Sequence, residues 1–121
     1  MKNFTDLQVW REARLLRIIV RKLTDVLPEE EKFVLVAQMR RSALSVTSNI
    51  AEGSSRFSYR DRIRFYYNSR GSLSEIEDCL TDCLDNEYIN KEAFKKYIKQ
   101  TQNVKKLLNG LIRSSKRLSE H

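Results

Sequence analysis

Few side chains in this sequence suit catalysis. The one histidine, His121, is the last of the 121 residues, so we expect no internal Cys-His or Ser-His pair that could generate a nucleophile. Cys79 and Cys83 lie one helical turn apart, which is a poor frame for a disulfide. Two thiols without further ligands do not make a zinc site. We therefore expect reduced cysteines, and neither a metal nor a cofactor.

Acidic residues offer one further route to chemistry. Glu75, Asp78 and Asp82 share a face of a predicted helix and could hold Mg²⁺, as in all-α nucleotide hydrolases. That reaction needs a second acidic motif on another core-facing helix, and the sequence has none. A di-iron bundle would need Glu-x-x-His pairs, which are also absent from the sequence. We predict that the protein is not an enzyme and works by binding.

Basic residues gather on two helix faces. Residues 91–121 hold nine Lys and Arg against two Glu, a net charge of +7 that equals the net charge of the whole chain. The predicted apolar seam of the last helix is Phe94, Tyr97, Thr101, Val104, Leu108, Leu111, Ser115 and Leu118. Five of the nine cations lie opposite that seam: Lys95, Lys99, Lys106, Arg113 and Arg117. Three more lie near Trp10 on the first: Arg14, Arg17 and Arg21. One-sided basic faces are typical of proteins that bind a polyanion, so both groups are candidate contacts to RNA or DNA.

Other interpretations of these faces stay open. The basic face of the last helix could be a solvated face that keeps the protein soluble, or could meet an acidic surface of the preceding helix or of a partner protein. Trp10 and its arginines could stack on bases and hold phosphates, or Trp10 could pack against another helix or subunit while the arginines cover its edge. Basic and aromatic residues also interleave from Arg56 to Arg70, where RNA contact competes with core packing.

Residues 38–56 carry a polar stripe that needs partners. Its members recur every three or four positions, so they share one helix face: Gln38, Ser42, Ser45, Asn49 and Glu52. Glu52 falls in the last turn, where the helix dipole disfavours a carboxylate. We expect it to pair with Arg56, or with Arg40 or Arg41 of a neighbouring subunit. The alternative is a ligand-binding or assembly contact made by Asn49 and Glu52.

Long helices must position these groups. Three Gly, one Pro and 32% charged residues in 3.6-residue patterns predict an all-α chain. The four predicted helices span residues 5–27, 29–53, 58–87 and 90–118. The predicted apolar face of the second helix is Leu35, Val36, Met39, Ala43, Val46 and Ile50, and the predicted seam of the third is Tyr66, Ser69, Leu73, Ile76, Leu80 and Cys83. Short connections make them antiparallel, so we expect one up-down four-helix-bundle domain over residues 1–121. Apolar side chains beyond the needs of one bundle, including Leu7, Ile18, Phe33 and Leu44, predict a homo-oligomer.

Local signals predict where the helices begin and end. Thr5 and Gln8 have the spacing of a capping box, Pro28 stops the first helix, and Gly53 suits the left-handed residue that closes many helices. Gly71, inside the third helix, predicts a close backbone approach, and we expect the neighbouring Ser72 to form a hydrogen bond across that contact. No apolar run reaches the roughly 20 residues of a membrane span, and the first residues lack a signal-peptide core, so we expect a cytoplasmic protein without a membrane partner.

The central motif resembles a known family, the bacterial 23S rRNA intervening-sequence proteins. The resemblance rests on Arg40-Arg41-Ser42-Ala43, Ser45, Asn49-Ile50-Ala51-Glu52-Gly53 and Arg56, and extends to Phe4-x-Asp6-Leu7-x-Val9-Trp10, Pro28, Glu31 and Gly71-Ser72-Leu73-x-Glu75. The motif positions that it marks as structural or assembly residues are Arg40, Arg41, Ser45, Asn49, Glu52, Gly53, Arg56, Ser72 and Glu75.

The resemblance implies four-helix bundles assembled into a pentameric ring, without enzymatic activity. Family reading frames sit inside insertions in large-subunit ribosomal RNA genes, and a related branch serves as accessory protein to the reverse transcriptases of diversity-generating retroelements. We therefore expect a homo-oligomer that binds nucleic acid, structured RNA foremost. The alternatives are an adaptor for a nucleic-acid-handling enzyme such as a reverse transcriptase, and a protein without direct nucleic-acid contact.

Overall fold

The computed structural model describes residues 3–120, which form four α-helices and contain no β-strand. The helices are α1 (Gln8–Asp25), α2 (Ala37–Ser55), α3 (Tyr59–Asp85) and α4 (Lys91–Ser119). The prediction of an all-α chain is confirmed. His121, which was considered above as a catalytic group, lies outside the described residues. In residues 3–120 no helix is both long and apolar enough to cross a membrane.

Each helix packs on its neighbours in the sequence, and α4 returns to α1. The most extensive contact joins α2 to α3, followed by α3 to α4, α1 to α2 and α1 to α4. Contacts across α1 and α2 run in opposite order, since Arg17 meets Thr47 and Thr24 meets Arg40. The helices are therefore antiparallel, and α2 and α4 occupy opposite corners of the bundle.

The core follows the predicted apolar faces of the second and third helices, the former beginning two residues before α2. The buried residues of these faces are Leu35, Val36, Met39, Ala43, Val46, Ile50, Tyr66, Ser69, Leu73, Ile76, Leu80 and Cys83. The seam of α4 differs from the prediction in its last turns, where Ile112 is buried while Leu111 is half-buried and Leu118 is exposed. A straight helix drifts away from a strict seven-residue spacing, so the buried face moves on by one position after Leu108.

The start of α1 differs from the predicted capping box. Asn3 caps a 3-10 turn, Phe4–Asp6, by accepting a hydrogen bond from the Thr5 amide at 3.1 Å, while the Asp6 carboxylate accepts one from the Asn3 amide at 3.2 Å. Helix α1 then begins at Gln8 without a side-chain cap. Asn is a stronger N-cap than Thr, so the pair that begins with Asn3 forms the box.

The second helix also begins differently. A 3-10 turn, Glu29–Glu31, and a π-helical segment, Lys32–Val36, precede α2, so regular α-helix starts at Ala37 rather than near residue 29. Helix α3 ends at Asp85, and Glu87 adopts a left-handed φ of 61°. The Tyr88 amide donates to the Cys83 carbonyl at 2.9 Å, which completes a Schellman motif around Glu87.

Candidate nucleic-acid interface and the motif residues

Helix α4 presents one continuous line of positive charge. Asn90 caps the helix by accepting a hydrogen bond from the Ala93 amide at 2.8 Å, and the face carrying Thr101, Val104 and Leu108 is buried. Opposite that face lie the five predicted cations, which we call the α4 basic stripe: Lys95, Lys99, Lys106, Arg113 and Arg117. Their spacings of four and seven residues keep them on one side of the helix over about 33 Å.

The α4 basic stripe is available to a ligand. All five of its side chains are exposed. None of them forms an ion pair within residues 3–120. The cations that do form ion pairs there are Lys32, Arg40, Arg56, Arg64 and Lys105. Lys105, by contrast, lies toward α3 and pairs with Glu77. The stripe is therefore positive charge that the bundle itself does not neutralise.

The arginines of α1 do not join this stripe. Arg17 and Arg21 face α2, where Arg17 donates to the Thr47 hydroxyl at 2.8 Å, and Arg14 is exposed. A groove of about 580 Å³ runs between the two helices, and we call it the α1–α2 groove. Its lining is Arg17, Ile18, Val20, Arg21, Lys22, Arg40, Arg41, Ala43 and Leu44. The two predicted basic faces are thus separate surfaces.

Trp10 belongs to the packing of the bundle. Its ring meets Phe4 edge-on at 5.2 Å between centroids, and it packs partly buried against the core. The structure thus shows Trp10 packing within the bundle, which is the second of the two interpretations given above, rather than exposed for stacking on bases.

The polar stripe of α2 faces α3, and one carboxylate organises its first half. Glu75 accepts a hydrogen bond from the Gln38 amide and one from the Ser42 hydroxyl, each at 2.9 Å. Ser42 is buried, and a buried hydroxyl without a partner would be costly. Glu75 therefore acts as a clamp between α2 and α3.

A second group of hydrogen bonds lies one turn further along α2. Ser72 of α3 donates to the Ser45 hydroxyl at 2.9 Å, and the Asn49 amide donates to the Ser45 carbonyl at 2.9 Å and to its hydroxyl at 3.0 Å. The expected bond from Ser72 across the helix contact is confirmed. The close approach expected at Gly71 is wrong, since a Cβ there would meet nothing within 4 Å. Small residues on both helices, Ser72 among them, allow the contact without it.

The last turn of α2 holds the expected in-chain ion pair. Arg56 contacts the Glu52 carboxylate at 2.6 Å and lies over the Phe65 ring at 4.6 Å. Arg40 binds within the chain as well, to Asp25 at 2.7 Å and to the Thr24 hydroxyl at 2.8 Å. The neighbouring Arg41 donates to the side-chain oxygen Oε1 of Gln38 at 3.1 Å and stays exposed.

Gly53 does not close α2, contrary to the prediction. The helix continues to Ser55, and no glycine among residues 3–120 has a positive φ. A Cβ on Gly53 would lie 2.8 Å from Tyr66 Cε1, 3.0 Å from Phe65 Cβ and 3.1 Å from the Arg62 carbonyl oxygen. Glycine is required here for the close approach of α3 and not for backbone conformation.

Comparison with known protein families identifies the family to which the chain belongs. The family model of the 23S rRNA-intervening sequence protein matches residues 5–110. The chain belongs to this family. Among curated protein sequences, none matches the chain.

A solved structure supports the same placement. The crystal structure of a protein with unknown function, of the S23 ribosomal protein family from Bacteroides thetaiotaomicron VPI-5482, is 26% identical to the chain with a TM-score of 0.80. The alignment covers 87% of this chain and 95% of that one. The two proteins share nearly the whole bundle.

In this intervening-sequence protein, the motif residues mainly join helices. Arg40 ties α2 to α1, Ser72 and Glu75 tie α3 to α2, and Gly53 lets the two approach. The spacing of the polar stripe predicted one shared face, but the identity of the facing helix is a tertiary property. The buried Ser69 hydroxyl, which donates to the Val46 carbonyl at 2.8 Å, was missed as a cross-helix bond; its place in the apolar seam was the available signal.

In the aromatic and basic segment at the start of α3, most rings are already in contact with cations of the same chain. Cations of the chain cover its ring faces: Arg62 over Tyr59 at 4.6 Å, Arg64 over Phe65 at 4.4 Å, and Arg70 and Lys116 over Tyr67 at 4.7 and 5.3 Å. Tyr66 is buried, and Phe57 is 100% exposed. Stacking of bases on the covered rings would require these arginines to move.

The two cysteines are buried inside the bundle. Cys79 and Cys83 are free thiols, and burial raises the pKa of each to about 11, with the nearby Asp78 carboxylate adding to the shift at Cys79. High pKa values keep thiols protonated and unreactive at neutral pH. Residues 3–120 contain no group of three or more metal-ligating side chains.

Proposed function

We propose that this protein is a non-enzymatic homo-oligomer that binds nucleic acid, structured RNA foremost, through the phosphate backbone. The observation that carries the proposal is the α4 basic stripe, whose five exposed cations have no ion-pair partner within residues 3–120. Lysine and arginine side chains that hold phosphates release condensed counterions, and this release drives binding. Membership in a family of 23S rRNA-intervening sequence proteins supports RNA as the polyanion.

Contacts of this kind position a helix on RNA without reading sequence. Consecutive stripe positions are four or seven residues apart, which is about one or two turns of α4. The cations therefore form a line and not a pocket. The rings of Tyr59 and Tyr67 are covered by the chain's own arginines. The Phe57 ring is fully exposed, but stacking on a ring does not discriminate strongly among bases. We therefore expect shape and charge to select the ligand, with little preference among base sequences.

Assembly would multiply this weak binding. Exposed apolar side chains on α1 and α2, such as Ile18 at 37% and Leu44 at 54% exposure, support a homo-oligomer, and the family resemblance implies a pentameric ring. A ring carries one stripe per copy, so a long RNA can engage several stripes at once. Simultaneous engagement raises the overall affinity above that of any single stripe.

Charge reversal on the stripe tests the proposal. We would measure binding of the purified protein to a structured ribosomal RNA fragment and to duplex DNA at several salt concentrations. In the variant with Lys95, Lys99 and Lys106 changed to Glu, binding should be lost while the helical circular dichroism stays unchanged. In the unmodified protein, the logarithm of the affinity should fall by roughly 0.7 to 0.9 per phosphate contact for each tenfold rise in salt.

A control variant distinguishes the effect of the stripe on binding from the effect of net charge. The variant with Lys32, Arg60 and Arg64 changed to Glu makes the same charge change on exposed positions outside the stripe, and it should keep most of the affinity. Because Lys32 and Arg64 form ion pairs with Glu29 and Asp61, circular dichroism checks the fold of this variant too, and a loss of binding in this variant alone would assign the contact to the Arg56 to Arg70 segment. Equal loss in both variants, or unchanged binding in the stripe variant, would overturn the assignment. If the unmodified protein binds neither nucleic acid at low salt, the adaptor function takes its place.

A further inference from the structure

The α1–α2 groove combines apolar side chains with positive charge that the chain leaves free. Ile18 and Leu44 are 37% and 54% exposed in it. Two of its cations are occupied, Arg17 by the Thr47 hydroxyl and Arg40 by Asp25. The remaining three are exposed and form no ion pair within residues 3–120: Arg21, Lys22 and Arg41. Arg41 donates one exposed hydrogen bond to the Gln38 side chain, which leaves its charge without a carboxylate partner.

The adjacent face of the bundle, between α2 and α3, has the opposite charge. Residues 71–90 hold six carboxylates and no Lys or Arg. A groove of about 270 Å³ lies on this face, with Val34 exposed at 68% beside it. We call this surface the α2–α3 acidic face, and its exposed carboxylates are Asp78, Asp82 and Asp85, none of which forms an ion pair in the described chain.

We propose that these two surfaces are the two sides of one contact, in which the α1–α2 groove of one copy receives the α2–α3 acidic face of the next. This inference rests on the homo-oligomer of the proposed function. Each surface places exposed apolar side chains among free charges, and the two charges are opposite, as electrostatic complementarity across an interface requires. Both surfaces also lie in the half of the bundle that holds the carboxyl end of α1, so the copies meet side by side with little axial step.

A contact between two different surfaces closes into a ring only when its rotation allows closure. Here the surfaces are neighbouring sides of a four-helix bundle that share α2, so their outward directions diverge by about 90°. With the ring axis along the bundle, each copy is then turned by about 90° from the last, and about four copies close the ring. The pentamer that the family resemblance implies needs a turn of about 72°.

Closure of this kind also fixes which helix faces outward. The shared helix, α2, points toward the ring axis, and α4, at the opposite corner of the bundle, forms the outer wall. The α4 basic stripe is then displayed on the outside of the ring, where a long RNA can reach the stripes of several copies. A central pore would be lined by α2 instead.

Reversal of each charge set, alone and together, tests the contact by light scattering after size-exclusion chromatography. The groove variant, R21E with R41E, and the acidic-face variant, D82K with D85K, should each lower the molar mass about four- to fivefold, to that of a monomer. The chain that carries all four substitutions restores opposite charges at every contact, so it should recover the mass of the unmodified protein. Circular dichroism checks that each variant stays helical.

The outcomes separate this contact from the homo-oligomer itself. A control with Lys95 and Lys99 changed to Glu alters the outer wall and should leave the mass unchanged. If the unmodified protein is a monomer, the homo-oligomer is wrong. If it is an oligomer whose mass neither single set of reversals changes, or if the four substitutions together fail to restore the assembly, the oligomer stands and this contact is wrong.

Discussion

Gly53 of α2 faces Tyr66 of α3 so closely that no side chain fits between them. A Cβ on Gly53 would lie 2.8 Å from Tyr66 Cε1. The Tyr66 hydroxyl is held beside this contact by a hydrogen bond of 3.1 Å with Ser54, and Tyr66 is 1% exposed. The ring therefore has no free space to move into, so the glycine fixes how closely α2 and α3 pack.

We expect Gly53→Ala to destabilise the protein although alanine is the better helix former. Displacing the Tyr66 ring or the α3 backbone costs about 1 to 3 kcal/mol, and the gain in helix propensity returns about 1 kcal/mol at most. Urea unfolding at 25 °C should show a net loss. The matched control is Gly71→Ala, exposed and free of contacts within 4 Å, which should gain about 0.5 to 1 kcal/mol. A gain at both positions would contradict the packing role of Gly53.

The sequence alone predicts which residues are buried far better than which helices meet. Periodicity is a local property, so the faces of Met39, Val46 and Leu73 follow from spacing, and all three are 0% exposed. A glycine that turns the chain and a glycine that admits a neighbouring ring look alike in sequence. For that reason Gly53 and Gly71 were both misassigned, one as a helix end and the other as a close contact.

In the candidate nucleic-acid interface, too, the features of a single helix could be predicted and those that depend on how helices meet could not. The α4 basic stripe could be predicted because its members lie on one helix. Whether Arg17 and Arg21 would extend the stripe depends on which side of α1 faces α4, and the sequence of α1 does not contain this information. In the structure these arginines face α2. The opposite charges of neighbouring bundle faces likewise emerge only after the helices are assembled.

The hydrogen bond from Ser42 to Glu75 should be worth measurable stability. Replacing Ser42 with Ala removes a buried donor and should cost about 1 kcal/mol. Replacing Glu75 with Ala leaves the hydroxyl of Ser42 and the side-chain amide of Gln38 without their acceptor. A double-mutant cycle by urea unfolding should give a coupling of about 0.5 to 1.5 kcal/mol. Additive effects would mean that the pair does not clamp α2 to α3, and would reopen a ligand-binding role for this carboxylate.

Glu87 offers a substitution that should stabilise the fold. Its φ of 61° costs a residue with a side chain about 1 kcal/mol, and glycine adopts the same conformation without that cost. Glu87→Gly should therefore raise the free energy of unfolding by about 0.5 to 1 kcal/mol. Glu87→Ala removes the same carboxylate but retains the strained backbone, so it should give no such gain. Equal effects of the two changes would assign the result to charge.

The buried thiols should make stability fall in alkaline solution. Cys79 and Cys83 have pKa values raised from 9.0 to about 11, chiefly by burial. Because the unfolded thiols ionise first, the unfolded state binds fewer protons than the folded state between about pH 9 and 11. The stability that the protonated thiols contribute is complete below about pH 9 and is lost as the pH rises through that window, with a slope of at most about 1.4 kcal/mol per pH unit for each thiol.

A double variant isolates this contribution from that of other groups. With both cysteines changed to Ala, the protein should be less stable at neutral pH because two buried sulfur atoms are lost. Its stability should nevertheless fall less steeply from about pH 9 to pH 10 than that of the unmodified protein, since only the thiols have been removed and every other titratable group is the same in both. The measurement is the urea midpoint at neutral pH and at each end of that range. Parallel losses in the two proteins would show that the thiols reach solvent in the folded state.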